Sequence, residues 1–180
     1  SWYKNNHFNA DEWIGIDRQF YTINKNYLDY LRENGDSKVP KHDYDNAKFY
    51  TGIVFEINNY SYFAPISSFK EQQKTNYLIY VQDNDSETGI KVSSSVRCCY
   101  MVPVPKQLLE VMDINKYPNV KARALIRKEL KWCKDHSSDI KNLASKVYKW
   151  GANRNSPLSK NCCDFKRLEQ AHDIYIRDFL

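Results

Sequence analysis

Ser67, Ser68 and Lys70 put two hydroxyls and an ammonium within four residues of one another. That set suits phosphate chemistry: hydroxyls hydrogen-bond phosphate oxygens or carry protons, and an ammonium neutralises the charge that builds up as a phosphodiester is attacked. In isolation a Ser-Ser pair is ordinary loop filler and a lone lysine a solvated charge. The flanking sequence gives them a setting. Residues 52–57 are apolar and β-branched, Asn58-Asn59 is a turn signal and residues 62–66 return as a second run, so the segment reads as a hairpin that delivers the three residues to the end of its second strand.

Further strand-like runs are expected at 20–23, 48–57, 76–82 and 96–104, with turn clusters such as Asp83-Asn84-Asp85-Ser86 between them. The second half changes period. Residues 105–113, 119–136, 137–150 and 162–179 read as helices, with Pro105 suited to a helix start and Gly151 to a stop. In the second of these, Val120, Ala124, Ile126, Leu130 and Cys133 form an inward stripe that leaves most of the basic residues outside. The expected class is α+β: a compact, mostly antiparallel sheet or barrel early, surrounded by C-terminal helices. At 180 residues one domain is expected over 1–180, able to bury roughly 70% of its unfolded surface, with 1–18 as an N-terminal extension.

Charge is distributed unevenly. Residues 116–160 carry twelve Lys and Arg against three acids, a net of +9 in a chain of net +5, so the remainder is −4. Such asymmetry points to a polyanionic partner along one half, and fourteen Tyr, eight Phe and four Trp add stacking surfaces for unpaired bases. Cys98-Cys99, Cys133 and Cys162-Cys163 are odd in number and lack C-x-x-C spacing, which favours buried reduced thiols over a disulfide framework or a zinc site. The four histidines stand in unrelated segments, and a Walker loop or dinucleotide fingerprint is missing, so no metal and no cofactor is expected. With no long apolar run and no basic-then-apolar leader, the expected setting is the cytoplasm, without membrane attachment.

Five motifs in order, FYTINKNYLDYL from Phe20, Lys38-Val39-Pro40, Tyr44-x-x-x-Lys48, GIVFEI from Gly52 and APISSFK from Ala64, resemble the ToxN/AbiQ family. These are the toxin endoribonucleases of type III toxin–antitoxin and phage abortive-infection systems, and the match looks closest to the AbiQ-like branch. The resemblance is strongest over 20–70 and lies mainly in layout beyond that. It implies a barrel-like sheet similar to the Kid/MazF toxins, a cellular or phage RNA substrate, a small structured RNA antitoxin as partner, encoded as repeats and processed by the toxin, and a higher-order protein–RNA assembly. One departure concerns the loop. Where relatives commonly read Thr-Ser-Pro-Lys, this chain has Ser67-Ser68-Phe69-Lys70; serine keeps the hydroxyl, whereas Phe69 in place of proline is expected to loosen the backbone and offer a ring.

Metal-independent RNA cleavage asks little of a protein, because the nucleophile is the RNA's own 2′-hydroxyl. The expected products are a 2′,3′-cyclic phosphate and a 5′-hydroxyl. Lys48 and Lys70 are the leading groups for charge stabilisation and proton transfer, and Ser67 and Ser68 for orienting the phosphate. Tyr27 and Tyr44 are candidates to stack or position bases, Lys38 to hold a neighbouring phosphate, and Lys121, Arg127 and Lys131 to bind RNA along the basic helix. A non-catalytic RNA-binding module would use the same basic helices and aromatics, but would have no need to gather Lys48 with Ser67, Ser68 and Lys70. An inhibitor of another protein built on the same barrel type rests on fold analogy alone.

Overall fold

The Asn58-Asn59 turn sits at the centre of the sheet. Both residues adopt positive φ, 52° and 64°, which asparagine tolerates better than most residues and which matches the twist of a two-residue hairpin. The computed structural model describes residues 19–41 and 51–180. Within them, β2 (Thr51–Ile57) and β3 (Tyr60–Ser67) pair antiparallel from Ile57 opposite Tyr60 to Gly52 opposite Pro65.

Around this hairpin lies a seven-stranded antiparallel sheet. β1 (Tyr21–Ile23) adds to β2, and β7 (Leu109–Val111) adds to β1; on the other side β5 (Ile90–Arg97) adds to β3 and β4 (Asn76–Gln82) to β5. The outer edge of β3 is shared. Tyr62 and Phe63 pair with β6 (Val102–Pro103), and Ile66 and Ser67 with β5. Thus β3 changes partner just before the two serines, at the point where the chain leaves the sheet.

Four α-helices complete the described residues: α1 (Lys25–Asn34), α2 (Val120–Asp135), α3 (Ser137–Ala152) and α4 (Phe165–Phe179). Local chemistry sets three of their starts, since Asn24, Asn119 and Asp164 accept hydrogen bonds from the amides of Tyr27, Ala122 and Arg167. Each such cap contributes about 1 kcal/mol. Tyr27, Leu28 and Leu31 of α1 join Phe55, Phe63, Ile140, Val147 and Phe165 in one core. A buried polar group ties α4 to the hairpin: Glu169 accepts from the Tyr62 hydroxyl at 2.5 Å, from Tyr148 at 2.7 Å and from Asn58 at 3.1 Å.

The α+β class, the helices at 119–136 and 137–150 and the strand at 76–82 agree with expectation. Four points differ. Residues 105–113 form no α-helix but a 3-10 turn (Lys106–Leu108) running into β7, whose backbone pairs with β1. The strand expected at 96–104 begins earlier, at Ile90, and ends at Arg97; Cys98–Tyr100 then turns as a 3-10 helix. Gly151 lies inside α3, where a Cβ would stand 2.3 Å from the Phe165 ring, so this glycine permits α3 to meet α4 closely. On α2 Leu130 and Cys133 are buried and Ile126 packs partly buried against the core, as expected, while Val120 is 69% exposed and Ala124 faces solvent.

Candidate nucleic-acid cleavage site

Ser67 is the last paired residue of β3, opposite Ser95 of β5, and the backbone just beyond it is tied down. The Phe69 amide donates to Ser67 Oγ at 3.2 Å, and Ser95 Oγ donates to the Phe69 carbonyl at 2.6 Å. The Phe69 ring lies under the Arg97 guanidinium at 4.2 Å, which also faces the Tyr100 ring at 5.0 Å. Phe69 therefore does not loosen the loop as expected. Proline here would have no N–H for Ser67, whereas Phe69 supplies one and clamps Arg97 as well.

On this fixed frame the reactive groups are free. Ser68 and Lys70 are exposed, and among the described residues neither side chain has a hydrogen-bond or ion-pair partner. Ser67 and Ser68 line a 220 Å³ cavity between the ends of β3 and β5 and one face of α2. Glu129 of α2 closes that cavity, accepting hydrogen bonds from Ser93 Oγ at 3.1 Å and from Ser94 Oγ. Sequence reasoning missed these three residues, although two signals were present: a serine run inside a strand, and the one acid in the basic stretch 116–134.

The other expected site residues separate. Lys48 and Tyr44 lie outside the described residues. Tyr27 is fully buried in the core. Its hydroxyl donates to the Pro103 carbonyl at 2.5 Å and its ring meets Tyr175 edge-on at 4.9 Å. Burial pushes its phenol well above the usual range. No base can stack on it, so its part is to anchor α1 to β6. Lys38 lies 3.3 Å from Asp36 and lines a different cavity, shared with Lys74, Arg97 and Lys160.

Lys121, Arg127 and Lys131 are exposed along α2. Arg127 donates to Asn115 Oδ1 at 2.6 Å and Lys131 pairs with Asp135 at 2.8 Å. A solvent-exposed ion pair contributes only about 0–1 kcal/mol, which leaves these cations able to exchange partners. One helix thus walls the serine cavity with Leu125, Ile126 and Glu129 and presents cations on its outer side.

Cysteine chemistry is disfavoured by burial. All five thiols are free and buried, and burial pushes that of Cys162 up to about 11, with Cys98 and Cys133 higher still. Among the described residues no group of three or more His, Cys, Asp or Glu side chains is placed to hold a metal ion, and no helix is long and apolar enough to cross a membrane.

Comparison with known proteins gives the family. Residues 19–173 match the family model for toxin ToxN of type III toxin–antitoxin systems. The chain is 30% identical over 168 residues to Endoribonuclease ToxN of Bacillus thuringiensis subsp. kurstaki, covering 87% of this chain and 84% of that protein. It is 29% identical over 178 residues to Endoribonuclease AbiQ of Lactococcus lactis subsp. lactis, covering 91% and 92%; the two identities do not separate the branches. A solved type III toxin–antitoxin structure, concerned with selective toxin inhibition by a non-coding RNA pseudoknot, superposes with a TM-score of 0.74 at 28% identity, over 88% of this chain and 97% of that one. With the family model spanning most of its length, the chain belongs to the ToxN toxin family of type III toxin–antitoxin systems.

Proposed function

We propose that this chain is a metal-independent, sequence-selective endoribonuclease that cleaves RNA by transesterification in the cytoplasm, as the toxin of a phage abortive-infection system. The observation that carries the reading is the loop itself: a backbone pinned by two hydrogen bonds presents the hydroxyl of Ser68 and the ammonium of Lys70, neither with a partner among the described residues. The RNA's 2′-oxygen attacks the adjacent phosphorus, its proton passes to a base, the bond to the 5′-oxygen breaks and that oxygen takes up a proton. The ends are a 2′,3′-cyclic phosphate and a 5′-hydroxyl. Ser67 and Ser68 orient the phosphate, and Lys70, together with Lys48, balances the charge that grows on its oxygens and exchanges the two protons.

Control follows from the family. The solved relative is inhibited by an RNA pseudoknot, and here a small structured repeat RNA, processed by the toxin, is the proposed antitoxin. The +9 segment 116–160 gives an independent physical reason, since it extends beyond what a few nucleotides around a cut can cover. Ser68→Ala and Lys70→Ala are each expected to lower kcat/KM for RNA cleavage by about 10²-fold or more, with unchanged circular dichroism. Near wild-type turnover in both, with the fold intact, would take the chemistry away from this loop; RNA binding with no cleavage by the wild-type protein would favour the second reading, a non-catalytic RNA-binding module resting on the outer face of α2.

A further inference from the structure

A cationic cavity among the described residues lies beside the serine loop, and of its lining only Lys38 was expected to hold a phosphate. It encloses 430 Å³, within the range of about 300–1,000 Å³ typical of ligand sites, and its lining includes Lys38, Lys74, Arg97 and Lys160 but no carboxylate. Four cations around one cavity repel each other, which an arriving anion relieves. Asp36 beneath Lys38 pairs with its ammonium at 3.3 Å and also accepts from the amides of Lys38 at 2.9 Å and Asp164 at 2.7 Å, so Lys38 comes to the cavity already paired. Lys74 and Lys160 are exposed and have no ion-pair partner among the described residues. Arg97 meets no carboxylate among them either, and its Nε is buried without a hydrogen-bond partner.

The walls are built to stay in place. Asn76 accepts from the Gln73 amide at 2.7 Å and donates to the Glu71 carbonyl at 2.8 Å, fixing the turn that presents Gln73, Lys74 and Thr75. Arg97 is held between the Phe69 and Tyr100 rings. A preset arrangement loses little entropy when an anion arrives. The cavity is also joined to the cleavage loop: Phe69, whose carbonyl is bonded by Ser95, carries Arg97 on its ring, and Arg97 stands two residues along β5 from Ser95, about 7 Å. An RNA strand that crosses Ser68 and Lys70 can continue past the mouth of this cavity.

We infer that this cavity is a phosphate-binding subsite that grips the backbone of the bound RNA next to the cut, with Lys74, Arg97 and Lys160 as its ligands alongside Lys38. The subsite rests on the endoribonuclease reading only in that RNA must lie across the loop. Its task is register: a fixed phosphate beyond the scissile one sets which linkage reaches Ser68.

The test is lysine footprinting with a mixed-sequence 2′-O-methyl RNA, which binds without being cut. Acetylation of Lys74 and Lys160, followed by mass spectrometry, is expected to slow about tenfold on RNA binding. The Lys74→Gln/Lys160→Gln variant is expected to lose roughly tenfold in affinity, with a log–log salt slope shallower by about 0.7 for each phosphate it no longer neutralises. Unchanged acetylation of both lysines in the complex overturns the proposal. So does protection by inorganic phosphate alone with none by RNA, which would make the occupant a free anion. Protection by the RNA, with no cleavage of the matching unmodified RNA by the wild-type protein, leaves the subsite standing and removes the nuclease reading; cleavage without protection does the reverse.

Discussion

At the scale of single residues the loop illustrates how one substitution changes the means of holding a site. Phe69 contributes its N–H to Ser67, its carbonyl to Ser95 and its ring to Arg97. Phe69→Ala keeps both backbone bonds and removes only the ring. A partly buried cation–π interaction is worth about 0.5–2 kcal/mol, so a modest fall in melting temperature is expected, with a raised KM for RNA as Arg97 loses its platform. An unchanged KM, measured with a fluorogenic RNA, would mean that the ring does not position Arg97. The place of Ser67, Ser68 and Lys70 at the end of β3 was legible in the sequence because adjacency carried it. Arg97, Lys74, Lys160 and Glu129 were not, because they come from separate segments that only the folded sheet and α2 bring near the loop.

At the scale of elements, α2 and α3 were legible from their period, and the hairpin from Asn58-Asn59. The misread pieces share a cause: partners distant in sequence decided them. Residues 105–113 combine a proline start with helix-like spacing, yet the edge of β1 captures 109–111 as β7. Residues 90–95 include three serines, a weak strand signal, and β4 recruits them along its whole length. Gly151 looked like a stop, but its missing side chain is a packing requirement. Gly151→Ala places a methyl against Phe165 and is expected to destabilise by about 1–3 kcal/mol, read from chemical denaturation; an equal or higher midpoint would show that α3 and α4 have room to spare. On α2, charge reversal at Lys121, Arg127 and Lys131 is expected to weaken binding of the structured antitoxin RNA and flatten its salt dependence, by about 0.7 in log–log slope for each phosphate no longer neutralised. Cleavage of short RNAs is expected to suffer less. The opposite pattern, with antitoxin affinity intact and short-RNA cleavage abolished, would assign the helix to the substrate.

At the scale of the whole molecule, the segment after α1 is fastened to the start of α4 through Asp36, and that fastening senses pH. Burial alone would raise the Asp36 carboxyl, but the amides of Lys38 and Asp164 and the Lys38 ammonium outweigh it and hold it below the ordinary value. A group depressed in the folded state adds stability above its unfolded pKa, about 3.9, and loses it as pH falls through the lower folded value. The melting temperature is therefore expected to drop below about pH 4, and Asp36→Asn to lower it at neutral pH while flattening that acid limb. Parallel acid limbs for the two proteins would show that Asp36 carries none of the dependence. The same fastening holds Lys38 at the cationic cavity, so one carboxylate joins fold stability to the surface proposed to hold RNA. The central claim is cleavage by hydroxyls and ammonium groups acting on the RNA's own 2′-oxygen. The most direct measurement is to incubate the protein with a defined RNA in EDTA and identify the new ends: 2′,3′-cyclic phosphate and 5′-hydroxyl termini are the predicted result, and a strict Mg²⁺ requirement or 5′-phosphate termini would contradict it.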